Sequence, residues 1–244
     1  MGDALRAVLF DLDGTLMDHD AARVAGLQAH LAECLPELEA RELARLDGEW
    51  RRLEALHYDE YASGRCSFQE QRRRRAYGMH EALGRELESD AAADEWFAAY
   101  LGHYRGAWSA FEDAIPALDA LVTVNPEIEL AVITNGEGEP QRAKLAAIGL
   151  AERFPLVVAS GEVGVAKPDT AIFVLACERL GVKPADAAHV GDRLDLDAHG
   201  AAAAGLRGIW LDRPGASAPA PAPAAATGIA RISTLHELST ALGA

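Results

Sequence analysis

Short apolar runs recur along the chain, and each is followed directly by polar residues. The first run, Ala7–Phe10, ends in Asp-Leu-Asp-Gly, and similar runs follow residue 108. Runs of this length that stop at polar loops are typical of buried β-strands. The pattern predicts strands over residues 7–10, 130–133, 156–159, 188–190, 208–211 and 229–232.

Helical segments separate these predicted strands. One runs from Gln141 to Ile148 before Gly149, and another runs from Thr170 to Leu180 before Gly181. A glycine directly after a helix commonly adopts the left-handed conformation that ends it. The alternation of strand and helix predicts an α/β fold with a parallel sheet, whose ligands bind at the carboxyl ends of the strands.

Residues 17–108 show a different periodicity. Apolar and aromatic residues are spaced three or four apart there, and no strand pattern intervenes. The spaced residues are Leu43, Leu46, Trp50 and Leu53, then Trp96, Tyr100, Tyr104 and Trp108. This segment holds ten of the fifteen aromatic residues, enough for a core of its own. We expect an all-helical domain over 17–108, inserted into a domain made of 1–16 and 109–244, with the aromatic stripes serving packing rather than a substrate pocket.

Two low-complexity stretches interrupt these patterns. Arg72–Arg75 is a run of four arginines on a predicted helix, which favours a solvated face paired with Glu70 and Glu81. The alternative is that one or two of them face an anionic ligand. The alternating Ala and Pro of 216–226 favour an extended polyproline loop before the last strand.

Composition restricts the classes of partner. The chain has 244 residues, with 23 basic and 38 acidic side chains, and a formal net charge of −15. An acidic protein repels phosphate backbones, so no nucleic-acid partner is expected. A small anionic substrate would need a local positive site. Only three lysines are available for one, Lys144, Lys167 and Lys183.

The remaining composition is that of an ordinary globular protein. Three widely spaced cysteines, Cys34, Cys66 and Cys177, fit neither a disulfide framework nor a zinc site. No secretory leader and no apolar run of about 20 residues is present, which favours the cytoplasm and no membrane association. We expect a monomer or a homodimer.

Polar residues that could catalyse a reaction or bind a ligand follow four of the predicted strands. Asp11 and Asp13 lie just beyond the first strand, before Gly14, and such a pair offers a nucleophile, a proton donor and a cation ligand. The later strand ends add a hydroxyl and N–H groups, a fixed cation and a third carboxylate. These residues are Thr134, Asn135, Lys167 and Asp192. Each could instead be a turn, a cap or a solvated charge, but four such sites on successive loops indicate one active site.

These motifs resemble a known family. Asp-Leu-Asp-Gly-Thr at 11–15, Thr-Asn-Gly at 134–136, Lys-Pro-Asp at 167–169 and Gly-Asp-Arg-Leu-Asp-Leu-Asp at 191–197 are similar to the four motifs of the haloacid dehalogenase superfamily. The helical insert falls where subfamily I carries a helical cap. The later motifs look most like the branch of N-acylneuraminate-9-phosphatase-like and nucleotide 5′-phosphatase-like enzymes. The resemblance implies a Rossmann-like three-layer sandwich with a cap domain.

The resemblance also implies roles for individual residues. Asp11 would be the nucleophile that forms an aspartyl-phosphate, and Asp13 would protonate the leaving oxygen and later deprotonate water. Mg²⁺ would bind Asp11, the main-chain carbonyl of Asp13, and Asp192. Thr134 and Asn135 would hold phosphoryl oxygens, and Lys167 would neutralise their charge. Asp197 would orient Lys167 or a metal-bound water, with Asp195 as an open alternative.

The implied activity is a Mg²⁺-dependent phosphatase that hydrolyses a phosphate monoester of a small metabolite, of sugar phosphate or nucleotide type. Its mechanism predicts a raised pKa of Asp13 in the substrate complex. A haloacid dehalogenase is disfavoured because a halide leaving group needs no proton from Asp13. A phosphomutase, a phospho-accepting receiver-like signalling domain and a catalytically dead scaffold remain as further alternatives.

Overall fold

The computed structural model describes residues 5–214 and 229–243, and these contain one six-stranded sheet. Its strands are β1 (Ala7–Phe10), β2 (Glu129–Thr134), β3 (Leu156–Ala159), β4 (Ala187–Gly191), β5 (Arg207–Leu211) and β6 (Ala230–Ile232). They lie in the order β3-β2-β1-β4-β5-β6, and every pairing is parallel. The predicted α/β fold is confirmed, and predicted and observed strand ends differ by at most one residue. The predicted polyproline loop at 216–226 lies outside the described residues.

Helices connect these strands and fill the long segment after β1. They are α1 (His19–Cys34), α2 (Ala40–Ala62), α3 (Phe68–Ala82), α4 (Asp90–Gly106), α5 (Ala114–Val124), α6 (Gly138–Ala147), α7 (Ser160–Val163), α8 (Thr170–Leu180), α9 (Gly200–Ala203) and α10 (Leu238–Leu242). A π-helical turn, Leu194–His199, leads into α9. Among the helices described, none combines the length and the apolar character that a membrane crossing needs.

The chain divides into two compact units. One, the α/β unit, comprises the residues up to His19 together with those from Trp108 onward. The other, the helical unit, is Asp20–Ala107. The α/β unit therefore contains the whole sheet, and the helical unit contains α2, α3, α4 and nearly all of α1.

The core of the α/β unit forms around β1, which lies between β2 and β4 in the middle of the sheet. All four residues of β1 are fully buried, which explains why its sequence is continuously apolar rather than alternating. Ile172 and Phe173 of α8 join Leu9 and Ile133 in one hydrophobic cluster. Burial of each such side chain contributes about 1.5–3 kcal/mol to the stability of the fold. The loops that follow the strands are therefore anchored to a well-packed core.

The helical unit has an aromatic core. Trp50 of α2 is fully buried, and its ring centre lies 4.7 Å from that of Tyr100 and 5.8 Å from that of Phe97, both on α4. Tyr104 is also buried and stacks on Tyr100. For these residues the packing interpretation of the aromatic stripes is confirmed.

The arginine run on α3 is not a uniformly solvated face. The predicted partners, Glu70 and Glu81, are wrong. The carboxylate partners are Asp90 and Asp94 for Arg73, Glu60 for Arg74 and Glu54 for Arg75. Arg75 is buried because α3 packs against both α2 and α4, and because residues 71, 75, 76 and 79 face inward. Glu70 instead closes a capping box with Ser67 at the start of α3.

Candidate active site

The segments at the carboxyl ends of β1, β2, β3 and β4 bring the predicted site residues together. Asp11 follows β1, Asp192 follows β4, Thr134 ends β2, and Lys167 lies in the loop between α7 and α8. Asp11 and Lys167 are 7% and 5% exposed, although both are ionisable. Burial of charge at this edge is costly unless the groups pair with one another or with a ligand.

Lys167 lies at the centre of the site. Its Nζ donates hydrogen bonds to Asp11 Oδ1 at 2.6 Å, to Asp197 Oδ1 at 2.7 Å and to the carbonyl oxygen of Ile133 at 3.0 Å. These three acceptors match the three N–H groups of an ammonium. Burial lowers the pKa of Lys167, but Asp11 and Asp197 outweigh it and raise the pKa above its usual value. Lys167 is therefore a fixed positive charge.

Asn135 fixes the backbone of Lys167. Its side-chain oxygen accepts from the Lys167 N–H at 2.8 Å, and its side-chain amide donates to the Lys167 carbonyl at 2.9 Å. The sequence predicted a role for the main-chain N–H of Asn135, and nothing in the pattern indicated this second role for its side chain.

Asp197 and Asp195 occupy different environments. Asp197 is buried in the π-helical turn, where it accepts hydrogen bonds from Lys167, from His189 Nε2 at 3.1 Å and from the Arg193 N–H at 3.0 Å. Short π-helical segments are frequent at functional sites. Asp195 is exposed and pairs with Arg193. Of the two acids left open by the sequence, Asp197 is the one that contacts Lys167.

Glycines allow this close packing. A Cβ at Gly191 would lie 2.2 Å from Cγ of Asp197, and one at Gly14 would lie 2.6 Å from Oδ2 of Asp192. Gly14 also has a φ of +86°, a conformation that side chains disfavour. Both glycines are therefore required for the acids to approach the loop backbones.

Asp11, Asp192 and Asp197 form a candidate metal centre. Each offers a carboxylate oxygen, and the three oxygens lie within 4.8 Å of one another. Burial and the neighbouring Asp197 raise the pKa of Asp11 to about 7, although Lys167 opposes this, and burial and Asp11 raise that of Asp192. An oxygen donor set with excess negative charge fits a hard divalent cation such as Mg²⁺. The side chain of Asp13 is not part of this cluster.

Asp13 instead pairs with two residues of α6. Lys144 Nζ donates to both of its carboxylate oxygens, at 2.7 and 2.6 Å, and Gln141 Nε2 donates to Oδ2 at 3.1 Å. Burial raises the pKa of Asp13, but Lys144, His19 and Gln141 together hold it below its usual value. The rise predicted for the substrate complex stays a prediction, and in this structure the direction is the opposite.

Gln141 also links Asp13 to the neighbouring strand. Its Nε2 donates to Oγ1 of Thr134, which is 2% exposed at the end of β2. Since Thr134 Oγ1 accepts this hydrogen bond, its own hydrogen can be donated to a ligand. Sequence reasoning missed the roles of Gln141 and Lys144. The available signals were the scarcity of lysine and the spacing of three, which places both on one face of α6.

Comparison with known proteins agrees with this geometry. The family model of haloacid dehalogenase-like hydrolases matches residues 5–205. The chain belongs to the haloacid dehalogenase-like hydrolase family. The recognition from the four motifs is therefore confirmed.

Several relatives are similar over most of their length. A phosphoserine phosphatase of Thermus thermophilus is 32% identical, with 86% of this chain and 89% of that protein covered. The human N-acylneuraminate-9-phosphatase is 31% identical, with 86% and 84% covered. The HAD-hydrolase YfnB of Bacillus subtilis, in a structure bound to magnesium, has the same fold with a TM-score of 0.79 at 21% identity, covering 99% of this chain and 100% of that one. The predicted enzyme class, a hydrolase of the phosphatase type, is confirmed at this level.

Proposed function

We propose that the chain is a Mg²⁺-dependent phosphatase that hydrolyses a phosphate monoester of a small metabolite through an aspartyl-phosphate on Asp11. The observation that carries this proposal is the buried contact of Asp11 with Lys167, 2.6 Å long, beside the cluster of three acids. The nucleophile, the fixed cation and the candidate metal ligands lie next to one another. Attack of a carboxylate on a dianionic phosphate requires this, because a cation and a metal ion must neutralise the negative charge.

In the first step, a carboxylate oxygen of Asp11 forms a bond to phosphorus as the bond to the leaving oxygen breaks. Asp13 donates its proton to that oxygen, which departs as an alcohol. A phosphoryl dianion beside Asp13 raises the pKa of its carboxyl, because like charge disfavours the ionised form. Phosphoryl oxygens accept hydrogen bonds from the Thr134 hydroxyl and the Asn135 N–H, and Lys167 neutralises part of their charge.

In the second step, Asp13 takes a proton from a water molecule that attacks phosphorus. The bond between Asp11 and phosphorus breaks, inorganic phosphate leaves, and both carboxyl groups return to their starting forms. Asp197 acts as a positioning residue, because it accepts a hydrogen bond from the same Lys167 ammonium that donates to Asp11. Lys144 and Gln141 hold the side chain of Asp13 between the two steps.

Mg²⁺ is proposed to bind Asp11, Asp192 and the main-chain carbonyl of Asp13, with the acid of Asp197 close by. When bound there it would screen the repulsion between Asp11 and the phosphate, and it would restore a low pKa to Asp11. The charges of the chain support this assignment. Four acids, Asp11, Asp13, Asp192 and Asp197, face only two ammonium groups, Lys144 and Lys167, which leaves the charge of one divalent cation to be supplied.

Asp13 separates this proposal from a dehalogenase, because a halide departs without a proton and needs no second acid there. A phosphomutase would use the same residues but would transfer the phosphoryl group to a second sugar hydroxyl. We further propose that residues 17–108 form the cap domain that selects the substrate, and that 1–16 and 109–244 form the catalytic domain.

The test is a panel of phosphorylated sugars, nucleotides and phosphorylated acids, assayed for phosphate release with Mg²⁺ and with chelator. The Asp11→Asn variant serves as the blank. We expect release from at least one class of substrate that requires both Mg²⁺ and Asp11. Equal release with chelator would contradict the metal requirement, and phosphoryl transfer to a sugar without release would favour the mutase.

A further inference from the structure

Arg72 differs from the other three arginines of its run. Arg73, Arg74 and Arg75 each contact a carboxylate, whereas within residues 5–214 and 229–243 no carboxylate lies at ion-pair distance from Arg72. Arg72 is nevertheless partly buried. A guanidinium removed from water without a counter-charge is costly, so its retention calls for a specific reason.

Aromatic rings hold this guanidinium in place. The Cζ atom of Arg72 lies 4.2 Å from the ring centre of Phe68 and 5.6 Å from that of Phe97. Arg75 lies 5.2 Å from the same Phe97 ring, so the two guanidinium groups share one aromatic neighbour. Phe68, Arg72 and Arg75 follow the spacing of one face of α3, and this face packs against α4, which carries Phe97. A guanidinium that stacks on a ring keeps its N–H edge available for a ligand.

Further positive charge lies beside Arg72. Burial lowers the pKa of Arg72, and the neighbouring Arg75 and Arg105 lower it further. Arg105 is exposed on α4, and no carboxylate of the described residues pairs with it. The Nε of Arg75 is buried and has no hydrogen-bond partner in the described part of the chain. Since Glu54 balances the charge of Arg75, the uncompensated positive charge of this region is that of Arg72 and Arg105, inside a protein with a net charge of −15.

We propose that Arg72, Arg75 and Arg105, together with the rings of Phe68 and Phe97, form an anion-binding site of the helical unit. Its ligand is a carboxylate or phosphate group, since the planar fork of arginine matches both and donates two parallel hydrogen bonds to either. The ligand is a free small anion, so this inference does not depend on the proposed function.

The first arm of the test measures binding without turnover. NMR spectra of the arginine side-chain N–H groups are recorded on the full chain during titration with acetate and with inorganic phosphate, at constant ionic strength. We expect the Arg72 signal, identified by its loss in Arg72→Gln, to shift and saturate with at least one anion. The signals of Arg73 and Arg74, which are already ion-paired, should not. A flat Arg72 signal, or equal unsaturated shifts of all three, would overturn the site.

The second arm tests the basic cluster around Arg72. The same titrations are repeated on Arg105→Gln and on the matched control Arg74→Gln, which removes an arginine already paired with Glu60. We expect the apparent Kd of the anion at Arg72 to rise at least about tenfold in Arg105→Gln and to stay within about twofold in Arg74→Gln. An unchanged Kd in Arg105→Gln, or an equal rise in both variants, would overturn the site.

Discussion

Both units of the molecule bury charged side chains, but they balance the charges differently. In the helical unit, fully buried Arg23 contacts Asp20, Asp47 and Glu54, and the contact with Asp47 is the closest. Arg51 also pairs with Asp47, and Arg75 also pairs with Glu54, so three arginines face three acids. In the α/β unit, four acids surround Lys144 and Lys167 at the carboxyl edge of the sheet. The positive and negative charges of the network in the helical unit balance. The network in the α/β unit keeps an excess of negative charge.

The direction of the pKa shifts reflects this difference. Burial lowers the pKa of Arg23, but Asp47 and its other acidic neighbours outweigh burial and raise it, so the arginine stays charged within a stable network. Burial raises the pKa of Asp11 to about 7, because one lysine does not compensate for the nearby acids. The comparison teaches that a balanced buried network stabilises the fold, whereas an unbalanced one indicates a binding site for an ion or a substrate.

The largest effect is expected from Asp11→Asn. Loss of the nucleophile should lower kcat for phosphate release at least about 10⁴-fold. The Tm should not fall, because the substitution removes one of the uncompensated charges. Activity and Tm are measured on the same preparation. A large fall in Tm with partial activity would show that Asp11 belongs to a structural network instead.

Asp13→Asn should have the next largest effect. Without a proton to donate and return, kcat should fall about 10²–10⁴-fold for poor leaving groups such as sugar alcohols. For p-nitrophenyl phosphate, whose leaving group needs no proton, release of nitrophenolate should be less affected in a single turnover. Wild-type rates with sugar phosphates would contradict the proton-transfer role.

Arg23→Met tests the balanced network of the helical unit by removing its central positive charge. Removal of the guanidinium takes away the closest cation of Asp47 and one of the two cations beside Glu54, so the free energy of unfolding should fall by about 3–5 kcal/mol. Urea denaturation at pH 7 measures the loss, and kcat of the protein that remains folded should stay within about twofold of wild type. Unchanged stability would remove the distinction drawn between the two networks.

Asp113 provides a smaller, balanced case within the α/β unit. Its carboxylate accepts from Arg213 at 2.8 and 2.9 Å, from the Thr234 hydroxyl at 2.6 Å and from the Leu235 N–H at 2.8 Å. Burial raises its pKa, but these partners outweigh burial and lower it to about 2. Asp113→Asn should therefore destabilise the protein by about 1–3 kcal/mol at pH 7.

The pH dependence of the stability lost in Asp113→Asn shows whether the charge of Asp113 causes the loss. A carboxyl with a depressed pKa stabilises the fold above the unfolded pKa of about 4, and this stabilisation disappears as the pH falls toward about 2. The difference in urea midpoint between wild type and Asp113→Asn should thus shrink between pH 5 and pH 3. A constant difference would mean that shape, not charge, accounts for the effect.

The sequence revealed the strand-end residues of the site because their positions follow from local patterns. Asp11, Thr134, Lys167 and Asp192 each come after a readable strand or in a recognisable motif, and parallel strands bring their carboxyl ends to one edge. Local patterns do not predict whether Asp195 or Asp197 contacts Lys167. The answer depends on the π-helical turn, which buries Asp197.

Other contacts depend on how whole helices pack. Lys144 reaches Asp13 only because α6 lies beside the loop after β1, and no periodicity in the sequence encodes that placement. Arg75 is buried in a stripe of α3 that includes the polar Gln71, so the hydrophobic pattern gave no sign of an inward face. Long-range packing of polar side chains is the part that local patterns do not contain.

The central claim is tested most directly by trapping the phosphoryl group on the enzyme. Wild-type protein is mixed with a substrate found in the panel and Mg²⁺, quenched in acid within milliseconds, digested, and mapped by mass spectrometry. The account predicts a phosphorylated peptide with the modification on Asp11, absent when chelator replaces Mg²⁺. Rapid hydrolysis with no covalent phosphate, or with the phosphate on another residue, would contradict it.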